Sequence, residues 1–270
     1  MKIEQQKISG SNEIIQSAWM IKLEKEKVND GYYLFPDNQA EIIIAMKGSF
    51  SRKIVGNRKQ YMIAQGESIL AKARSRGMVI QADEDITFLL IKLNPQYLNV
   101  FANHPYNKFR DEVQRLALPA RFNQLWKNAL FYKEKREVLS ILETYIAELT
   151  EENQDSRDSM ISETIEIIRE QKGEIKIKEL NDILGICKST LEQKFNREVG
   201  MSPKEFCKIE KLSNFLKNYF EFCGEMTLTQ LTFKSGYYDQ SHLIKDFKYY
   251  VEDSPKRFLA NANKVLLYAN

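Results

Sequence analysis

Two stretches of the chain, residues 176–203 and 227–255, repeat one pattern. Each copy reads as a short amphipathic helix, a turn and a second helix in which a leucine and a phenylalanine stand four residues apart. The shared turn glycine, leucine and phenylalanine are Gly185, Leu191 and Phe195 in the first copy and Gly236, Leu243 and Phe247 in the second. Because a tight turn between helices often needs a residue that adopts positive φ without strain, the pattern predicts two helix-turn-helix units.

Both copies also carry the apolar spacing and the boundary signals of short helices. The apolar positions that recur at the helical period, and that we expect to form a small core in each unit, are Leu180, Ile183, Leu191, Phe195, Leu228, Leu231, Leu243 and Phe247. Thr227 with Gln230, and Ser202 with Glu205, are capping-box patterns that predict helix starts. Gly200 stands where a helix would end in a left-handed residue.

A longer helix is predicted between the two copies, from Pro203 to about Phe222. Its apolar stripe consists of Phe206, Ile209, Leu212, Phe215, Leu216 and Tyr219. At about 1.5 Å per residue this helix is roughly 30 Å long, close to the roughly 34 Å of one turn of B-DNA. A rigid connector of that length can place two helices in successive major-groove segments on one face of a duplex, so the sequence predicts binding to double-stranded DNA.

The residues of the two copies follow the sequence pattern of a known family. They are Gly185, Ser189, Leu191, Phe195, Gly200, Ser202 and Pro203 in the first copy, and Gly236 to Leu243, Phe247, Lys248, Ser254, Pro255 and Phe258 in the second. With these residues, 160–270 resembles the DNA-binding domain of the AraC/XylS family of bacterial transcription regulators. The resemblance implies one domain that binds two adjacent major grooves, and it favours an activator with RNA polymerase as a partner.

Matching positions imply which side chains touch DNA. The base contacts implied by the resemblance are Ser189, Glu192 and Gln193 in the first unit and Gln240, Ser241 and Lys245 in the second. Glutamine can pair with adenine, lysine with guanine, and glutamate can accept from cytosine N4. The implied phosphate contacts are Lys188, Lys194, Arg197, Lys248 and Arg257, each of which can instead be part of a solvated helix face.

The chain departs from the family pattern at four positions. The family usually has alanine where this chain has Asn181, Phe215 and Thr232, and glycine where it has Glu252. Asn181 puts a polar group near the first core. Glu252 removes a residue suited to a left-handed helix cap.

The first part of the chain is strand-like. The strand candidates are 13–23, 41–47, 50–55, 60–64, 67–71, 77–81 and 86–93. Their spacing favours a β-barrel of the cupin or jelly-roll kind, so the fold class is α+β: a barrel for sensing or dimerisation, then an all-α DNA-binding domain. The predicted divisions are 1–110 for the barrel, 111–150 for a helical segment, 151–158 for a linker and 159–270 for the DNA-binding domain.

Two features of the first part leave alternatives open. The aromatic residues Trp19, Tyr32, Tyr33, Phe35 and Tyr61 can line a small-molecule pocket or can be ordinary core packing. The apolar stripe Val138, Ile141, Leu142, Tyr145 and Leu149 can pack on its own barrel or can pair with the same helix of a second subunit. The barrel is accordingly read either as an effector sensor or as a dimerisation and protein-interaction module without a ligand.

Residue counts argue against an enzyme. The chain has only two histidines, His104 and His242, so a multi-histidine metal site is excluded, and we expect no metal or other cofactor. A DNA-targeted enzyme or repair module remains the third alternative, but residues 1–186 hold no cysteine that such a module could sacrifice. The three cysteines, Cys187, Cys207 and Cys223, read as reduced thiols, and Cys187 is assigned no redox role.

Bulk charge and targeting signals add little. The net charge of +3 is mild, so any positive potential for nucleic acid must be local. The amino terminus lacks the apolar core of a signal peptide, and the longest apolar run, 42–46, is too short to span a bilayer. We therefore expect a cytoplasmic protein without a membrane partner.

Overall fold

The computed structural model describes the chain in separate ranges. These are residues 4–9, 14–25, 31–56, 59–71, 76–97, 113–116, 140–141, 144–145, 147–148, 159–222, 225–261 and 265–266. Within them, two β-sheets are followed by a set of α-helices.

The strands form two sheets. In chain order they are β1 (Glu4–Ser9), β2 (Ile15–Leu23), β3 (Tyr32–Leu34), β4 (Ala40–Lys47), β5 (Phe50–Ile54), β6 (Gln60–Ile63), β7 (Ser68–Ala71), β8 (Met78–Gln81), β9 (Ile86–Leu93), β10 (Val113–Arg115) and β11 (Val265–Leu266). The first sheet has the order β1-β2-β9-β4-β7-β10 and the second the order β11-β3-β8-β5-β6. Neighbouring strands run antiparallel, except that β11 pairs in parallel with β3.

A hydrophobic core lies between the sheets, which together we call the two-sheet domain. Side chains from both sheets meet there, among them Trp19, Ile43 and Phe88 from the first sheet and Phe50 and Ile80 from the second. Strands β4 and β9 are buried on both faces, which explains why their sequences are almost continuously apolar instead of alternating. The predicted α+β fold class, with a β-sheet domain before the helices, is confirmed.

The helical part begins at residue 159. Its helices are α1 (Ser159–Glu170), α2 (Ile177–Leu184), α3 (Lys188–Val199), α4 (Pro203–Glu221), α5 (Leu228–Lys234), α6 (Gln240–Val251) and α7 (Pro255–Ala260). The helix boundaries follow the predicted signals. Thr227 and Gln230 form a full capping box, and the Ser202 hydroxyl accepts a hydrogen bond from the Glu205 N–H. Gly185 and Gly200 adopt the left-handed conformation at φ 64° and 82°.

One core joins the helices. It contains the predicted Leu180, Leu191, Phe195, Leu231, Leu243 and Phe247 together with the stripe of α4. Of the remaining predicted core residues, Leu228 packs against this core while partly buried, but Ile183 is exposed, so its expected burial is wrong. Phe215 is fully buried and packs edge-on against Phe247, 6.0 Å between ring centroids, so the larger side chain at this family alanine position fills the core.

The structure adds strands that the sequence did not predict. The predicted strands match β2 and β4 to β9 to within two residues at either end. Strands β1, β3, β10 and β11 were not predicted, and β10 lies at 113–115 inside the segment expected to be helical. Strand β11 lies inside the domain expected to be all-α, yet it extends the second sheet.

Some predictions fall partly or wholly on residues outside the described ranges. The predicted linker 151–158, His104 and Cys223 lie outside them, as do Val138, Leu142 and Leu149 of the apolar stripe. The other two stripe residues are helical: Ile141 is half-buried and Tyr145 is buried.

Candidate nucleic-acid interface

Two helix-turn-helix units are present, α2 with α3 and α5 with α6, and α4 connects them. The second helix of each unit begins one residue after an extended N-cap, Cys187 for α3 and Asp239 for α6. The Asp239 carboxylate accepts the His242 N–H at 2.9 Å, which caps α6. In docked units of this kind, residues near the amino end of the second helix reach base edges.

In the first unit, the predicted base contacts lie one helical turn apart on α3. Ser189 and Gln193 are exposed, and Glu192 is half-buried. The Glu192 carboxylate lies 3.7 Å from the Lys188 ammonium, one turn earlier. A base contact from Glu192 would therefore replace its ion pair with Lys188. An exposed pair of this kind stabilises the protein by less than about 1 kcal/mol.

The thiol that precedes α3 is polarised. The Cys187 Sγ atom lies 3.2 Å from the Ser189 hydroxyl and 3.0 Å from the Thr190 hydroxyl. Both hydrogen bonds, and the one with Ser189 most strongly, lower the pKa of Cys187 to about 7. Cys207, in contrast, is buried in α4, and burial raises its pKa to about 12.

In the second unit, Ser241 and Lys245 are exposed on α6, and Gln240 is half-buried at its first position. The Gln240 Nε2 atom donates a hydrogen bond of 2.6 Å to the hydroxyl of Thr229 on α5. Sequence reading missed Thr229, because nothing in the spacing shows that residues eleven positions apart meet across the turn. It also missed Tyr238, which is 83% exposed beside the start of α6.

The predicted phosphate contacts differ in their exposure and in their charged neighbours. Lys248 is exposed and Lys194 is half-buried. Arg197 pairs with Glu198 at 2.7 Å, and Arg257 lies 3.8 Å from Asp253. Because both arginine side chains are exposed, these pairs are weak and can be exchanged for a phosphate. The structure therefore places basic groups beside both second helices, with several of their charges shared with neighbouring carboxylates.

Comparison with known proteins agrees with this geometry. The sequence model of a helix-turn-helix domain family matches residues 180–261, which span both units and the connector. Residues 180–261 form an AraC-type helix-turn-helix domain. No curated protein matches the chain in sequence.

Solved structures show the same fold along nearly the whole chain. An apo variant of ToxT from Vibrio cholerae has a TM-score of 0.55 at 14% identity, covering 93% of this chain and 98% of that chain. Wild-type ToxT from Vibrio cholerae with a bound unsaturated fatty acid has a TM-score of 0.53 at 15% identity, covering 93% and 96%. At these identities the likeness concerns the fold alone.

The AraC-type domain is docked on the two-sheet domain through aromatic side chains. Phe35, which follows β3, belongs to the core of the helical part, with ring centroids 5.8 Å from Phe247 and 5.7 Å from Phe258. Tyr33 packs edge-on against Phe258 at 4.9 Å. The five aromatics predicted as pocket lining are thus divided: Trp19, Tyr32 and Tyr61 lie at the core between the sheets, and Tyr33 and Phe35 face the helices.

Polar groups at the same contact are also buried. The Asn38 amide donates to the Phe206 carbonyl at 2.8 Å and to the Glu210 carboxylate at 2.9 Å. Arg169 donates to the Asn94 side chain at 3.1 Å. Burial is the main cause of a raised pKa for Glu210 and a lowered pKa for Arg169, with their mutual attraction opposing it. The contact therefore fixes α1 and α4 against the two-sheet domain.

The carboxyl end of α6 also contacts the two-sheet domain, beside Arg76 and Gly77. The Gly77 N–H donates to the Tyr250 carbonyl at 3.0 Å, and the Arg76 guanidinium lies 4.1 Å from the Tyr249 ring centroid. Glu252 itself adopts the left-handed cap at φ 59°, and its carboxylate lies 3.9 Å from Arg76. The expected loss of the cap is wrong: the residue keeps the cap conformation and adds a contact to the two-sheet domain.

Two other departures from the family pattern, Thr232 and Asn181, differ in whether their polar groups are satisfied. The Thr232 hydroxyl donates to the Leu228 carbonyl at 2.7 Å, so its buried polar group is satisfied within α5. The Asn181 Oδ1 atom is buried without a hydrogen-bond partner among the described residues, as expected for a polar group near the first core.

Two properties of the described residues bear on other functions. They contain no group of three or more histidine, cysteine, aspartate and glutamate side chains arranged to hold a metal ion. None of the helices in the described ranges has the length and apolar character needed to cross a membrane.

Proposed function

We propose that this chain is a sequence-specific, DNA-binding transcription regulator that reads two adjacent major grooves. The observation that carries the proposal is the pair of exposed second helices joined by α4. That helix has 19 residues, so it is about 28 Å long at about 1.5 Å per residue. Its apolar stripe lies in the core shared by both units, which makes the distance between the units a fixed property of the fold.

Each unit offers complementary chemistry to base edges. Gln193 and Gln240 can pair with adenine, Lys245 can donate to guanine, and Glu192 can accept from cytosine N4. Ser189 and Ser241 can contact either kind of base. Phosphate contacts from Lys188, Lys194, Arg197, Lys248 and Arg257 would set the register on the duplex without reading sequence.

In this proposed function, the helical domain activates transcription and the two-sheet domain controls that activity. RNA polymerase is the partner that an activator of this type would contact. A small-molecule effector is the proposed signal, supported by the fold shared with ToxT, whose structure includes a bound unsaturated fatty acid. The second candidate is dimerisation through the apolar stripe of the 111–150 segment with no effector, although Tyr145 of that stripe is already buried within the single chain.

Two measurements separate these candidates. A ligand that binds the folded chain and not the unfolded chain raises its melting temperature. A melting scan of the full chain with unsaturated fatty acids and other small metabolites, followed by measurement of the molecular mass in solution, separates a sensor from a dimerisation module.

Replacing both Gln240 and Lys245 with alanine is expected to relax sequence discrimination in the second half of the site. Removal of one base contact should cost about 1–3 kcal/mol of discrimination, while the first half of the site is still read. The measurement is the affinity of the full chain for duplexes selected from a randomised library and for versions altered in either half.

A matched control removes a charge in the two-sheet domain, outside both helix-turn-helix units. Lys53 is exposed on β5, so Lys53→Ala should leave the sequence preference unchanged. If the wild-type chain itself shows no sequence preference at moderate salt, the proposed function is wrong.

A further inference from the structure

The side chain of Gln240 is held in place before any DNA is bound. Its Nε2 atom donates to the Thr229 hydroxyl at 2.6 Å, across the turn between α5 and α6. Thr229 is exposed, and the helix cap of α5 is made by Thr227, so the Thr229 hydroxyl is not needed for capping. The hydrogen bond therefore joins the outer surface of one helix to the first residue of the next.

This contact leaves Gln240 able to read a base. A glutamine amide has two N–H donors and one carbonyl acceptor. One donor is used by Thr229, and the second donor and the carbonyl remain, which are the two groups that pair with N7 and N6 of adenine. Because Nε2 is tied to Thr229, the order in which the amide presents donor and acceptor is fixed as well.

Fixing this side chain also lowers the cost of binding. An unrestrained glutamine loses rotamer freedom when it is immobilised at an interface, and each such side chain costs part of the binding free energy. The Thr229 hydroxyl has already restricted Gln240 in the free protein. This saving affects affinity only where Gln240 contacts its preferred base. At other bases the side chain is not immobilised by DNA, so there is no ordering cost to reduce.

We propose that Thr229 is a positioning residue for Gln240, and that the pair sets the preference of the second unit for an A·T base pair. This inference rests on the proposed function, because it assigns a role within sequence reading. It makes Thr229 a determinant of specificity although its side chain lies on α5, outside the second helix of the unit.

The test compares four variants of the full chain on one probe, the duplex that the wild-type chain selects from a randomised library. Thr229→Val keeps the shape and removes the hydroxyl, and Thr229→Ser keeps the hydroxyl. Gln240→Ala identifies the base pair that Gln240 reads, because the sequence preference at that position of the duplex should disappear in this variant. The fourth variant combines Thr229→Val with Gln240→Ala. Affinity is measured for the selected duplex and for duplexes altered at each position.

Thr229→Val is expected to reduce preference at the Gln240 base pair by about 2- to 10-fold, the range for losing the pre-ordering of one flexible side chain. Other positions should be unaffected, Thr229→Ser should behave as wild type, and Thr229→Val should have no further effect in the Gln240→Ala background. The melting temperatures of all variants should agree closely, since Thr229 is exposed and Gln240 is only half-buried.

Two results would overturn the inference in different ways. Unchanged preference in Thr229→Val, or an equal loss with and without Gln240, overturns the positioning role while leaving the proposed function intact. Selection of no preferred duplex by the wild-type chain overturns the proposed function and the inference together.

Discussion

Replacing Phe35 with alanine is expected to destabilise the helical domain, although Phe35 belongs to the part of the chain that forms the sheets. The side chain is only 6% exposed and packs on Phe247 and Phe258. Deleting a buried phenylalanine costs about 3–5 kcal/mol, because favourable transfer energy is removed and a cavity is left. The cavity would open inside the core that holds α4 and α6 together.

The measurement is urea unfolding of the full chain followed by two signals. Far-ultraviolet circular dichroism at the helical minimum reports mainly the helices, and fluorescence of the buried Trp19 contributes a signal from the two-sheet domain. Phe35→Ala should shift the helical transition to lower urea. Phe233→Ala is the matched control, because Phe233 is 59% exposed and its loss should change stability by less than about 0.5 kcal/mol. A helical transition that stays at the wild-type urea concentration in Phe35→Ala would show that the domain has an independent core.

Removing one member of the buried ion pair Glu41–Arg52 is the second change with a large expected effect. Glu41 is on β4 of the first sheet and Arg52 is on β5 of the second, both fully buried, with 3.0 Å between Nη2 and Oε2. Arg52 also lies 3.2 Å from the sulfur of Met78. The pair therefore links the two sheets through their shared core. Arg52→Met leaves a carboxylate buried without this cation, which should cost about 3–5 kcal/mol.

The double variant Glu41→Leu with Arg52→Met gives the contrasting result. When both charges are replaced by apolar side chains of similar size, the desolvation cost of the pair disappears, and stability should return to near or above that of wild type. Urea midpoints of the two variants and of wild type provide the comparison. Equal losses in the single and the double variant would contradict this expectation, since they would indicate that packing and not charge sets the cost.

The sequence predicted the helical domain well because its signals are local. Turn glycines, capping residues and apolar positions at the helical period act within a few residues, and the structure confirms α2 to α6 from them. The same holds for strands such as β4 and β9, whose apolar runs are long. Strand β3 has only three residues, and the polar β1 lies at a sheet edge, so neither has a pattern that identifies it.

Contacts between distant parts of the chain could not be predicted in this way. Phe35 was expected either in a ligand pocket or in core packing, and only the fold shows that the core it joins is that of the helices. Glu252 was expected to weaken a helix cap, but its position beside Arg76 depends on how the two domains meet. The pairing of Thr229 with Gln240 likewise follows from the angle between two helices.

If one rigid chain reads two major-groove segments about one turn of DNA apart, its affinity for DNA should depend strictly on the spacing between them. The most direct measurement is binding of the full chain to the duplex that it selects, compared with a duplex carrying an insertion of about five base pairs, half a turn, between the two preferred clusters. We predict two clusters of preferred base pairs about one turn apart, and loss of specific binding on insertion, because α4 fixes the distance and the rotation between the units. A single cluster, or binding that tolerates the half-turn insertion, would contradict the proposed mode of reading.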